Sequence, residues 1–271
     1  MPSASEEIVQ KLPEAWLLDM DGTLYLSHCV LPGAKELIDH FNQNSIPYCL
    51  FTNNSSLSRK DYVVKLENLG LDCEPSRILT SAWATILWLL KRNIQRVYLM
   101  AVPSVCQEFS DAGLILDSVN PEVVVLAFDQ SLDYEKLKRA HQFLLDGVPY
   151  IATHPDLVCP TSTGSIPDCG AMIALLKAST GREPEIIGKP SRNMVDMASV
   201  LLGALPQSMA IVGDRLYTDM RMGFDHGLIT VLLLSGETQA EDLKDVVQKP
   251  DYCFGGAKEL LEWIYSSGRG G

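Results

Sequence analysis

Short runs of consecutive apolar residues alternate along the chain with longer segments in which apolar residues recur every three or four positions. The runs Ala15–Leu18, Ile46–Phe51, Val97–Ala101, Val123–Phe128, Val148–Ala152, Glu185–Ile187, Met209–Val212 and Ile229–Leu234 predict strands. Several are apolar throughout, as strands covered on both faces are. The segments Ala34–Asn44, Arg59–Leu69, Ala82–Lys91, Tyr134–Leu145, Ala171–Ala178, Met194–Leu202 and Ala257–Ile264 predict amphipathic helices. Strand followed by helix, many times over, predicts an α/β fold with a mostly parallel sheet. Ser58 and Ser191 stand where they can cap the helices beginning near Arg59 and Met194, and Gly70 follows Leu69 as a stop. No internal repeat, low-complexity tract or Gly/Ser-rich linker interrupts the alternation, and the glycine-rich tail Ser266–Gly271 is expected to fray.

Composition narrows the picture. The chain has 271 residues, 46% hydrophobic and 21% charged, enough to bury one large core or two modest ones. Its formal net charge of −12 disfavours nucleic acid and anionic membranes as partners, because affinity for both comes mainly from Lys and Arg meeting phosphate. The seven cysteines form no CxxC pair and most lie in apolar stretches, which predicts reduced core thiols in a cytoplasmic protein. His154, Cys159 and Cys169 raise the question of zinc, but their spacing matches no common structural site. Met1–Glu14 has no apolar core of the length a secretory signal needs, and no apolar run approaches the roughly 20 residues of a membrane span.

Four short segments carry candidate chemistry. In Trp16-Leu17-Leu18-Asp19-Met20-Asp21-Gly22-Thr23, two carboxylates one residue apart stand where an apolar strand gives way to glycine. Ligands of open parallel sheets bind at that carboxyl edge. Acids so close repel unless a cation or a proton separates their roles, and Gly22 permits a turn that brings backbone N–H groups toward an anion. Strand Ile46–Phe51 runs into Thr52-Asn53-Asn54-Ser55-Ser56, where Thr52 and Asn53 could donate to phosphate oxygens or simply cap a helix. Ile187-Gly188-Lys189-Pro190 delivers a lysine directly after a strand, where it could offset phosphate charge. This is not a P-loop, because six residues separate Gly181 from Gly188 and proline follows the lysine. Ile211-Val212-Gly213-Asp214 brings a third acid to a strand end, with Asp219 opening the next helix. Each segment has a bland reading as turn, cap or surface residue; what argues against it is their joint placement at strand ends.

In this order the segments resemble the haloacid dehalogenase superfamily, whose pattern is DxDGT, a Thr or Ser, a lysine and GDxxxxD. Within it the chain looks like the NagD-like phosphatases, through Phe51-Thr52-Asn53-Asn54-Ser55 and Gly188-Lys189-Pro190-Ser191. The resemblance implies a Rossmann-like doubly wound parallel core at 1–80 and 183–271, with an α/β cap domain inserted at 81–182. It implies a magnesium-dependent phosphatase: Asp19 as nucleophile forming an aspartyl-phosphate, Asp21 as acid and base, and Thr52, Asn53 and Lys189 binding phosphate. Mg2+ would be held by the Asp19 carboxylate, the Asp21 backbone carbonyl and Asp214, with Asp219 supporting. The family's cap motif Ala-Thr-Asn-Pro-Asp reads Ala152-Thr153-His154-Pro155-Asp156 here, so His154, Asp156 and the loop Pro160–Cys169 are candidates for substrate choice. The expected partner is a small phosphate ester such as a sugar phosphate, nucleotide, phosphoglycolate or pyridoxal phosphate, and relatives suggest a homodimer formed through the cap. A phosphate-binding protein of the same fold without turnover is the rival expectation. A nicotinamide oxidoreductase lacks its GxGxxG, and a serine hydrolase its GxSxG.

Overall fold

The computed structural model describes residues 12–161, 163–244 and 246–267. The N-terminal stretch 1–11 and the end of the glycine-rich tail, 268–271, lie outside the described residues. The chain opens with β1 (Ala15–Leu18), the short pair β2 (Tyr25–Leu26) and β3 (Cys29–Val30), α1 (Ala34–Gln43), β4 (Tyr48–Thr52), α2 (Arg59–Asn68), β5 (Ile78–Thr80) and α3 (Ser81–Lys91). It continues through β6 (Arg96–Met100), α4 (Pro103–Asp111), β7 (Ile115–Leu116), β8 (Val123–Leu126), α5 (Tyr134–Leu145), β9 (Tyr150–Ala152), the hairpin β10 (Val158–Thr161) and β11 (Gly164–Pro167), α6 (Cys169–Thr180) and β12 (Glu185–Ile186). The last block is α7 (Arg192–Leu202), β13 (Met209–Gly213), α8 (Arg221–His226), β14 (Ile229–Leu233), β15 (Tyr252–Phe254) and α9 (Ala257–Ser267).

Apart from the antiparallel pairs β2–β3 and β10–β11, these strands form two parallel sheets. The larger has six strands in the order β15-β14-β13-β1-β4-β5, and the second has five in the order β12-β9-β8-β6-β7. Burial on both faces explains why β1 and β13, and β4 as far as Phe51, carry no charged or strongly polar side chain. Ala15, Leu17, Cys49, Phe51, Met209 and Ile211 pack into one core with α3, α7 and Met222 of α8. Trp16, Leu18, Tyr48, Leu50, Ala210 and Val212 pack into another with α1, α2 and α9. Helices on both faces make the larger sheet doubly wound, as expected from the sequence. Each fully buried Leu, Ile or Phe contributes on the order of 1.5–3 kcal/mol by leaving water.

Every predicted strand and helix is present, with ends displaced by a few residues at most. Most unpredicted elements are short, β5 and β15 with three residues each and α8 with six, but α4 is also unpredicted, with nine residues and Val105 and Phe109 buried four apart. The sheets do not part at residues 81 and 182. α3 packs on α7 and β5 of the larger sheet, and β12 pairs with β9 of the second sheet beyond the predicted limit. α3 therefore belongs to a core shared by both sheets, with Val97, Val123, Val125 and Ile151 packed into it from the second.

Chain order reverses about β1, which has β4 on one side and β13 on the other. The crevice at this switch point is where an open parallel sheet holds its ligand. Beyond β4 the chain enters α2 through a capping box: the Ser58 hydroxyl accepts from the Asp61 N–H, and the Asp61 carboxylate accepts from the Ser58 N–H. Ser58→Ala is expected to lower stability by about 1 kcal/mol. A falling urea midpoint at unchanged slope is the measurement that checks it.

Candidate active site

β1, β4 and β13 end at one edge of the larger sheet, in register through Leu18, Leu50 and Val212. Asp19 follows β1 and Thr52 closes β4, and both line one cavity of about 50 Å³, while Asp214 follows β13 and brings its carboxylate to within 4.8 Å of those of Asp19 and Asp219. The loop after β12 adds Lys189, and the turn Leu216–Met220, wound as a single π-turn, adds Asp219. Single π-turns recur at functional sites. The four segments singled out from sequence therefore meet in space.

Lys189 stands at the centre. Its Nζ donates to Asp19 Oδ1 at 2.5 Å, Asp219 Oδ1 at 2.7 Å and the Phe51 carbonyl at 3.3 Å, and the residue is 3% exposed. Burial works against its charge, but Asp19 and Asp219 outweigh burial and hold the ammonium above the usual lysine range. Asn53 clamps the lysine backbone: the Lys189 N–H donates to Asn53 Oδ1 at 2.7 Å, and Asn53 Nδ2 donates to the Lys189 carbonyl at 3.0 Å. The Asn53 amide is thereby committed. Asn53 also lines the cavity, and its amide satisfies the backbone groups of the loop that carries Lys189. Thr52 lines the cavity, and its hydroxyl accepts from the Asn54 N–H.

Asp19, Asp214 and Asp219 have carboxylate oxygens within 4.8 Å of one another, and all three are buried. Asp214 Oδ2 accepts from the Glu237 N–H at 2.7 Å, whereas Oδ1 is buried with no partner. Burial first, and then the neighbouring carboxylates against the pull of Lys189, push Asp19 up to about 8. Burial and Asp219 push Asp214 up to about 6. A cluster of hard oxygen donors with an orphaned carboxylate oxygen fits a divalent cation such as Mg2+. Among the described residues no group containing His154, Cys159 and Cys169 could hold a metal. The Asp21 side chain stands outside the cluster, so a part for Asp21 in metal binding falls to its backbone carbonyl, as the resemblance implies.

Asp21 sits at the exposed mouth of the cavity. Surrounding protein nevertheless raises its carboxyl above the usual carboxylate range, against the pull of Lys65 and Arg215. Gly22 makes the turn behind it with φ +86°, where a side chain would also run into Asp214. Of the residues considered for substrate choice, Asp156 lines the cavity and accepts from Asn53 Nδ2 at 3.2 Å through each oxygen. His154 is fully buried behind it and does not reach the cavity. Sequence reasoning covers Asp168 only within the loop Pro160–Cys169 and misses Arg215, which faces the same space. Its position next to Asp214 was the available signal for Arg215. Gly236 carried none: a Cβ there would lie 2.0 Å from Asp214 Oδ2.

Gly236→Ala should therefore displace the Asp214 carboxylate. A loss in kcat/KM on the order of a hundredfold is expected, with near-native melting by circular dichroism separating this from unfolding. A second expectation concerns pH. The folded state holds protons on Asp19 and Asp214 that the unfolded chain has lost, so their contribution to stability falls as pH rises from the ordinary carboxylate range through about 6 and about 8. A divalent cation binds the ionised cluster and must displace those protons at low pH. The rise in Tm on adding Mg2+ should be larger at about pH 8 than at about pH 5, as thermal scans at both pH values would record.

The family model for haloacid dehalogenase-like hydrolases matches residues 16–115, and a HAD-hydrolase-like model matches residues 186–260. An acid sugar phosphatase of Staphylococcus haemolyticus is 33% identical over 89% of this chain and 92% of its own length. A dihydroxyacetone phosphatase of Corynebacterium glutamicum is 33% identical over 92% of this chain and 90% of its own. A 4-nitrophenylphosphatase structure from Thermotoga maritima superimposes with TM-score 0.89 at 43% identity, over 92% of this chain and 97% of that one. NagD from E. coli K-12 superimposes with TM-score 0.86 at 29% identity, over 92% and 98%. Matches that span nearly the whole chain, joined to the Asp19, Thr52, Lys189 and Asp214 edge, place this protein in the haloacid dehalogenase superfamily as a NagD-like phosphatase.

Proposed function

We propose that the chain hydrolyses small-molecule phosphate monoesters, sugar phosphates first among them, through a phosphoryl group carried on Asp19. The observation that supports this best is the buried Lys189 ammonium between Asp19 and Asp219, beside an Asp214 oxygen without a partner. Lys189 offsets the repulsion between a carboxylate nucleophile and a phosphate dianion, a repulsion that would otherwise block attack. An Asp19 oxygen forms a bond to phosphorus as the ester P–O bond breaks, and the departing oxygen takes a proton from Asp21. Water then attacks phosphorus, Asp21 takes its proton, and the Asp19–P bond breaks to release phosphate. The raised Asp21 carboxyl suits an acid that must be protonated when substrate arrives. Asp19 and Asp214, with the Asp21 carbonyl, would hold Mg2+, which supplies the positive charge and orientation that the dianion needs. Thr52 would orient the transferring group, and Asp219 holds Lys189 in place.

The names of two relatives, acid sugar phosphatase and dihydroxyacetone phosphatase, favour a short polyol as the leaving group. The narrow cavity, walled by Asp156, Asp168 and Arg215, suits a small group able to donate and accept hydrogen bonds. Seven free cysteines fit a cytoplasmic protein. Homodimerisation through the second sheet and its helices is part of the same reading, with gel filtration as its measure.

Phosphate release from 4-nitrophenyl phosphate and from a panel of sugar phosphates, nucleotides and phosphoglycolate tests the proposal. Turnover is expected with Mg2+, abolished by EDTA, and reduced at least about 10³-fold in Asp19→Asn. Absence of turnover on every ester would instead make the chain a phosphate-binding protein.

A further inference from the structure

His154 stands where the family motif has asparagine, and its surroundings differ from an ordinary core position. The ring is fully buried between two carboxylates: Nδ1 lies 3.6 Å from Asp156 Oδ2, and Nε2 lies 3.5 Å from Asp168 Oδ1. Among the described residues neither ring nitrogen has a hydrogen-bond partner. Both carboxylates reach the cavity in front of the ring. Each is also anchored elsewhere: Asp168 caps α6, its Oδ1 accepting from the Cys169 N–H as well as facing the ring, and both Asp156 oxygens accept from Asn53 Nδ2. The two acids cannot turn away without giving up those bonds.

This row has two gaps between nitrogen and carboxylate, and each gap is closed by one proton. A neutral imidazole with two carboxylates supplies only one, leaving a nitrogen lone pair against a carboxylate oxygen. One further proton, on the second ring nitrogen or on a carboxyl, closes both gaps and takes the row from two negative charges to one. An asparagine in the same place offers an amide donor to one side and a carbonyl to the other, and has no ring nitrogen to take that proton, which is then left to the carboxyls alone. Burial raises the Asp168 carboxyl, with His154 pulling it down.

We propose that His154 is a positioning residue: with Asp156 and Asp168 it holds an extra proton behind the leaving-group wall, and so adjusts the charge that an incoming anionic ester meets. The inference rests on the phosphatase reading for its purpose, although not for its geometry. Asp156 also links the row to catalysis, because the Asn53 amide that holds it clamps the Lys189 backbone. Other groups facing the row do not mimic the effect. Burial holds the Cys169 thiol at about 12 and Cys159 at about 11, while Arg215 remains charged and Asp21 is common to wild type and variants.

Sulfate is a suitable probe because its charge is constant across the range where imidazoles titrate, about pH 5 to 8. Calorimetric titration of sulfate into the Mg2+-loaded chain, in buffers of different ionisation enthalpy, reads the protons taken up on binding. The wild type is expected to take up more than His154→Asn, and its sulfate affinity to fall on the order of tenfold further as pH rises through this range. Asp168→Asn keeps a capping side chain for α6 and should lose the same uptake, which decides the matter if His154→Asn melts early. Equal uptake and equal pH profiles in wild type and variants overturn the proposal, as does a wild type that binds sulfate without proton uptake or not at all. No turnover is needed for this reading: His154-linked uptake in a chain that hydrolyses no ester would leave the proton-sharing row standing and sink the phosphatase reading.

Discussion

One buried ammonium, shared by two buried carboxylates, is the constraint on which the rest of the molecule turns. Lys189 is 3% exposed and Asp219 is 0% exposed. Ions so placed are tolerated only when geometry and further hydrogen bonds offset lost hydration, and removing one partner of such a pair costs about 3–5 kcal/mol. The fold meets this demand by bringing the partners from well-separated parts of the chain to the carboxyl edge of one sheet. There, partly by Lys189 and partly by a cation drawn to Asp19 and Asp214, the excess of acid can be balanced.

That balance depends on parts with no charge of their own. Asn53 fixes the lysine backbone, Gly22 and Gly236 leave the Asp214 carboxylate room, and the Glu237 N–H satisfies one of its oxygens. The other oxygen is left without a donor, and a strongly charged site with an unmet acceptor is prepared for a ligand. The chain after β9 adds Asp156, and the chain after β11 adds Asp168, to the wall of the same cavity. Two apolar cores that share the larger sheet hold this edge rigid, with α3 carrying packing across to the second sheet.

Much of this was legible in the chain alone. Apolar runs marked β1, β4, β13 and β14, and three- and four-residue spacing marked α1, α2, α5 and α7, because both patterns follow from which faces are buried. Asp19, Thr52, Lys189 and Asp214 were visible as polar residues directly after apolar strands. β5 and β15, three residues each, and the nine-residue α4 were not read from the pattern. The clamp of the Asn53 amide on Lys189 was not legible either, because the same polar atom can serve a ligand or a neighbouring loop, and only the neighbour's position decides.

Local pattern alone therefore determined the α/β class, the strand-end placement of the acids and the lysine, and the resemblance to haloacid dehalogenase phosphatases. These are properties of periodicity and of order along the chain. Tertiary structure decided that Lys189 pairs with Asp19 and Asp219, that Asp214 keeps an oxygen without a partner, that α3 packs on the larger sheet while β12 joins the second, and that His154 lies between Asp156 and Asp168. Each is a contact between residues far apart or turned aside in sequence, governed by how sheets and loops pack in three dimensions, and no one-dimensional pattern encodes such distances.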